Sequence, residues 1–314
     1  MTAQTIHTLK QTIVVLLLLS GAFSANAQLK YGFKTGLNFS RINGPSELND
    51  AGEALEKWDN VIGFHIGMTF AYKFTDNFGV RGEALFSKHG GKYTFDDPKG
   101  GGGQSFRNFV HSTGTVYTTG KSRYLINVNN SYIDIPVMAF GRLGHFEFSG
   151  GAYMGILVQT SGEGSLRYTG TTALGNDVYI YPDKSMTELN FNLNYSYRKD
   201  DPGAGAAKTD GEAPINVRVD GFVSPTPKTL GAYYDYPEGA RQLYKGLDFG
   251  LIGGVSYYIS SALYLGARLQ YGLADITNQA GDLTKARLDA NKQLIFRDDK
   301  DQNFVTQVFV GFGF

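Results

Sequence analysis

The chain has 314 residues, no cysteine, and 29 basic against 29 acidic residues, for a formal net charge of +0. Disulfide frameworks, thiol chemistry and lipid attachment to cysteine are excluded, and the charge balance gives no reason to expect nucleic acid or another polyanion as partner. With 41 Gly, 20 Tyr and 22 Phe against 9 Pro, the composition favours many short strands with aromatic faces and tight turns.

Residues 1–27 carry Lys10, the apolar run Ile13-Val14-Val15-Leu16-Leu17-Leu18-Leu19, and small residues ending in Ala25-Asn26-Ala27. This is the pattern of a secretory signal peptide with an A-x-A cleavage site, so the mature chain is expected to begin at Gln28. The apolar run is too short to span a bilayer as a helix, and no second long one follows. Any membrane crossing therefore has to be made by strands.

From Tyr31 to Phe39 residues alternate, with Tyr31, Phe33, Leu37 and Phe39 on one side and Lys34 and Asn38 on the other. After a polar loop from Ser40 to about Asp59, Phe64, Ile66, Met68, Phe70, Tyr72 and Phe74 line one face of a second strand. The turn Thr75-Asp76-Asn77 leads to a third, with Phe78, Val80, Ala84 and Phe86 opposite Arg81, Glu83 and Ser87. Phe95 to Lys121 reads as loop. Its run Gly100 to Gly103 lacks the following Lys-Ser/Thr pair of a phosphate loop. A fourth strand ends in Tyr132 to Phe140, where Pro136 marks an edge or a bulge. A fifth runs from Phe146 to Ile156.

The section from Ser161 to Tyr244 shows no turn-strand rhythm except at Leu189 to Tyr197 and Ile215 to Val223. These two segments read as an external hairpin, with two extra barrel strands as the alternative. Two further strands, Leu247 to Tyr257 and Leu263 to Tyr271, flank Ser260-Ser261-Ala262. A polar loop, Asp275 to Gln302, leads to the terminal strand, where Phe304, Val308, Val310, Phe312 and Phe314 share a face.

The connections run long, short, long, short, long, short, long, as an even-stranded barrel with short periplasmic turns and longer external loops requires. The fold expected is all-β, a transmembrane antiparallel up-and-down barrel of about eight strands, or ten if the two extra segments join the wall. It comprises residues 28–314, with an external insertion at 161–244, and sits in the outer membrane in contact with its lipid.

The chain resembles the PorT-like outer-membrane β-barrel proteins. The resemblance rests on Tyr31-Gly32-Phe33-Lys34-Thr35-Gly36-Leu37-Asn38-Phe39-Ser40, on Gly63 to Gly67 running into Tyr72 to Phe78 and Glu83 to Gly90, and on Tyr132-Ile133-Asp134-Ile135-Pro136. It covers strands and short turns but not Ser161 to Tyr244. It implies a barrel without an assigned activity, and an envelope or secretion-apparatus protein as partner. It also implies a C-terminal aromatic, here Phe314 with Phe312, that the barrel insertion machinery reads.

If the large apolar residues face lipid, Lys34, Lys73, Arg81 and Arg268 share the lumen with Glu83, Asp134, Glu147 and Asp248. A barrel of about eight strands is only wide enough for its own side chains. That favours an ion-pair ladder closing the lumen over a narrow ion pathway. No cofactor motif and no metal-ligand spacing occurs among His65, His89, His111 and His145. His89 approaching His111 with Ser112 beside them is the one catalytic arrangement to weigh, for a barrel enzyme acting on envelope lipid or peptide. The acidic run Asp298-Asp299-Lys300-Asp301 reads as a solvated loop, with weak Ca²⁺ binding as the alternative. The function expected is non-enzymatic anchoring or surface recognition through the external loops. Tyr168, Tyr179, Tyr181, Tyr195, Tyr197, Tyr233, Tyr234 and Tyr236 in the third of these suit a contact surface.

Overall fold

Period-two alternation produces eight long strands that close on themselves. The structure is a computed structural model and describes residues 29–46, 48, 51–97, 106–111, 114–171, 178–181, 189–192, 216–219, 222–225, 244–278, 287–288, 294–295 and 300–313. The strands are β1 (Leu29–Asn43), β2 (Val61–Lys73), β3 (Phe78–Asp97), β4 (Gly114–Leu143), β5 (Phe146–Thr171), β6 (Leu247–Tyr258), β7 (Leu263–Gly272) and β8 (Gln302–Gly313). Each pairs antiparallel with its neighbour in sequence. The ring closes where β1 meets β8, in register from Gly32↔Gly313 to Asn43↔Gln302. Closure satisfies every wall strand through its neighbours and leaves no edge to face lipid.

The outward face is apolar: Leu37 is 48%, Phe64 42%, Phe249 56% and Phe312 44% exposed. So large a belt of exposed aromatic and aliphatic side chains fits a hydrocarbon surround rather than water. No helix among the described residues is long and apolar enough to cross a membrane. Two of the three short turns share one chemistry. Thr75 Oγ1 accepts from the backbone N–H of Asn77 and Phe78, at 3.3 and 3.0 Å. Ser260 Oγ accepts from Ala262 and Leu263 at the same distances, 3.3 and 3.0 Å. The tightest turn, after Leu143, relies on Gly144 at φ 60°, a left-handed conformation that glycine adopts without a Cβ penalty.

Three expectations are corrected. First, Phe95 to Lys121 is not all loop, and regular structure does not stop at Ser161. The β3–β4 ladder runs out to Asp97↔Ser122 and the β4–β5 ladder to Thr119↔Thr171. The short strand Phe106–His111 adds to the start of β4. At about 3.4 Å per residue the 30 residues of β4 measure roughly 100 Å, several times a hydrocarbon core of ~30 Å. Their outer halves stand clear of lipid, where neither face has to be apolar, so the alternation fades. The β-forming run Thr115-Val116-Tyr117-Thr118-Thr119 was the signal that remained.

Second, Pro136 marks neither an edge nor a bulge. It faces inward in the closed wall opposite Tyr153, where the β3–β4 ladder skips Glu83 and Ala84 between Gly82↔Val137 and Leu85↔Asp134. The bulge lies further along, at Ser131/Tyr132. Third, Leu189–Asn192 pairs with Ser165 to Tyr168 of β5. Asn216–Val219 lies between Val178–Tyr181 and Phe222–Pro225 in a separate three-stranded sheet. Neither joins the ring, and they do not pair with each other, so the wall has eight strands and the expected hairpin between them does not form among the described residues. The remainder of both segments, 193–197, 215 and 220–221, lies outside the described residues, as do Gly100 to Gly103 and the signal-peptide region 1–27.

Candidate functional site

The functional candidate is the lumen. From the short turns towards the external loops, the inward side chains of β3 are Arg81, Glu83, Leu85, Ser87 and His89. They mark three successive polar layers. In the first, Arg81 Nη1 donates to Glu147 Oε1 at 2.7 Å, Arg142 Nη2 to Glu147 Oε2 at 3.2 Å, and the Tyr258 hydroxyl to Glu147 Oε2 at 3.1 Å. The Arg142 guanidinium lies 3.7 Å from the Tyr258 ring centroid, a cation–π contact. Turn geometry fixes this cluster, because Arg142 and Glu147 flank the Gly144 turn.

In the second layer, Glu83 pairs with Lys34 through Oε1 and with Arg268 Nη1 through Oε2, the latter at 2.6 Å. Arg268 Nε donates to Gln307 Oε1, and Gln307 Nε2 in turn donates to Asn38 Oδ1 at 3.0 Å. The same Asn38 oxygen accepts from His65 Nδ1 at 2.7 Å, while Asn38 Nδ2 reaches Ser87 Oγ and the carbonyls of Phe64 and Lys88. Phe309 closes the layer from β8, its ring centroid 4.2 Å from Lys34 Nζ.

The third layer holds Asp134 and Asp248. His89 Nε2 lies 3.0 Å from Asp134 Oδ2, and the His89 ring stacks on Tyr132 with centroids 4.7 Å apart. Asp248 Oδ2 accepts from the Tyr153 hydroxyl and from Asn303 Nδ2, both at 2.9 Å. Above it Ile42, Phe95, Ile126 and Val128 are fully buried, and among them the buried Glu56 carboxylate accepts from the Tyr93 hydroxyl at 2.8 Å.

Seven of the eight charged residues read from sequence, all except Lys73, are buried in the lumen. Lys73 is the correction: it closes β2 beside the Thr75 turn and its ammonium reaches only the Asp76 carbonyl, at 3.4 Å. Alternation aims it inward, but the wall ends before it can meet a carboxylate. Its place is taken by Arg142, which lies in β4 just beyond the expected strand end at Phe140.

The expected meeting of His89 and His111 does not occur. His89 sits opposite Asn130 on β4 and His111 opposite Gly114, sixteen residues away and so about 50 Å along the strand. Ser112, Asp298 and Asp299 lie outside the described residues. Asp301 is not solvated, being 5% exposed and accepting from Thr277 Oγ1 at 3.2 Å. Among the described residues no three His, Cys, Asp or Glu side chains are grouped to hold a metal. Phe312 faces outward on β8, and Phe314 lies outside the described residues.

Among solved structures the chain is similar to Ail, the attachment invasion locus protein of Yersinia pestis, at 11% identity and a TM-score of 0.32, covering 91% of this chain and 99% of that one. It is similar to Neisserial surface protein A at 8% identity and a TM-score of 0.29, covering 91% and 98%. It is similar to OprG of Pseudomonas aeruginosa at 10% identity and a TM-score of 0.29, covering 91% and 95%. Likenesses this distant do not bear on function. No curated protein matches the chain. The model of the outer membrane protein beta-barrel domain matches residues 23–278, and the chain, a closed barrel with an apolar belt and a polar lumen, belongs to that family of the outer membrane.

Proposed function

We propose that the protein is a non-enzymatic anchor whose barrel is a filled support and whose external strands and loops carry a recognition surface. The observation that supports this is the length of β4 and β5, 30 and 26 residues, which lifts a sheet far beyond what spanning requires. Recognition residues are commonly displayed on a rigid scaffold in this way. The partner class is an envelope protein, and the PorT-like resemblance adds a component of a secretion apparatus. Phe312 and Phe314 act in the same proposal as the segment read by the insertion machinery.

The enzyme reading has one feature to answer, the His89–Asp134 pair. That pair is a poor catalyst: the His89 side chain is fully buried and its Nδ1 has no hydrogen-bonding partner among the described residues, so none of them holds a nucleophile against it. The test replaces residues 172–243 by a short turn. The trimmed barrel is expected to insert and refold like the full chain, and to lose the cross-links that the full chain makes to one defined envelope protein. Hydrolase or acyltransferase turnover by the purified protein, abolished by His89→Ala, would overturn the proposal.

A further inference from the structure

We propose that the third lumen layer binds a hard, oxygen-preferring cation such as Ca²⁺ between Asp134 and Asp248. The layers differ in charge. Lys34 and Arg268 share Glu83, and Arg81 and Arg142 share Glu147, so each of the first two layers carries one formal positive charge in excess. Among the described residues, the four lumen Lys and Arg side chains Lys34, Arg81, Arg142 and Arg268 are thereby committed below. Asp134 meets only His89, and Asp248 meets no Lys or Arg among the described residues. Two carboxylates, 1% and 0% exposed, thus share a layer without a fixed cation. Burial of that kind is costly unless something compensates it.

The backbone brings them together. Gly155 pairs with Asp134 on one side and Asp248 on the other, so all three residues stand in one row across β4, β5 and β6. A Cβ at Gly155 would lie 2.9 Å from Asp134 Oδ1 and 3.6 Å from the Asp248 Cβ. Asp134 Oδ1 therefore lies over the glycine, on the side of Asp248. Each carboxylate is oriented through one oxygen, by His89 for Asp134 and by Tyr153 and Asn303 for Asp248. Both Oδ1 atoms are left without a partner. So are Asn303 Oδ1 and Gln270 Oε1, on side chains 0% exposed.

Asn303 cannot turn its amide around, since its Nδ2 is held by Asp248 Oδ2 and by the Tyr132 hydroxyl. These four buried, unpartnered oxygens, two of them on carboxylates, are of the kind a hard cation takes, about 6–8 in all with some from water. The unpartnered donors nearby, on Gln270 and Asn130, satisfy water but cannot neutralise the layer. With only two carboxylates, the affinity belongs to the weak range of about 10⁻⁴–10⁻³ M.

The test refolds the full chain in detergent with and without CaCl₂, after chelation of divalent ions, and follows the unfolding temperature. Tb³⁺ serves as a second probe, because Tyr132 and Tyr153 beside the site can sensitise its luminescence. The expected result is a Ca²⁺-dependent rise in unfolding temperature and saturable Tb³⁺ luminescence that Ca²⁺ displaces. Asp134→Asn and Asp248→Asn should each weaken binding at least tenfold, and Asp275→Asn, at the outer rim, should leave it unchanged. Should neither Asn variant refold, Gly155→Ala, which crowds Asp134 Oδ1, is expected to weaken binding in the same way. Absence of any Ca²⁺ effect on the wild type would overturn the proposal, leaving the layer to protons or water. So would luminescence that survives in every lumen variant.

Discussion

At the scale of single residues, the lumen is a set of unequal partnerships. Glu83 alone neutralises two buried cations, Lys34 and Arg268, at side-chain exposures of 2% or less. Removing one member of such a cluster strands the others in a low-dielectric interior. Glu83→Gln is therefore expected to lower unfolding stability in micelles by about 3–5 kcal/mol. Lys73→Gln, at the rim, is expected to change it by no more than about 0.5 kcal/mol. Denaturant titration of both variants checks the contrast, and equal losses would remove Lys73 from the rim. Alternation made the inward placement of Lys34, Arg81, Glu83 and Asp248 legible, because period two leaves only two faces to choose between. Partnership was not legible: which carboxylate a cation meets depends on the stagger of strands, and Glu83 reaches Arg268 across 185 positions of sequence.

At the scale of the strand, β8 makes the clearest case. Its pattern places Val308, Val310 and Phe312 outward and Val305, Gln307 and Phe309 inward, as the structure has them. Val308 lies mid-strand, whereas Phe312 lies near the short-turn end, where Gly313 N–H bonds to the Ala262 carbonyl. A charge should therefore cost unequally along one face. Val308→Arg is expected to destabilise the barrel in lipid vesicles by about 2–4 kcal/mol, and Phe312→Arg by only ~0–1 kcal/mol for the charge itself. Similar losses at both positions would mean that β8 does not cross the bilayer in this register. Strand interiors could be read because lipid forces one face to be apolar. The outer ends of β3, β4 and β5 could not, because water makes no such demand.

For the whole molecule, the alternation of short and long connections carried the topology, and it survives intact: every short turn lies at one end of the ring and every long connection at the other. What the sequence could not convey was how far the wall continues outward, or that the extra segments leave the wall at eight strands. An eight-stranded ring encloses only enough space for its own side chains, and here three charged or polar layers occupy it beneath the buried side chains of Ile42, Phe95, Ile126 and Val128 and the Tyr93–Glu56 hydrogen bond. The central claim, a closed and filled eight-stranded barrel, is tested most directly by reconstituting the purified protein in planar bilayers and recording current. The account predicts an electrically silent membrane under applied voltage; stable channels of porin size would contradict it and would require a wall of more than eight strands.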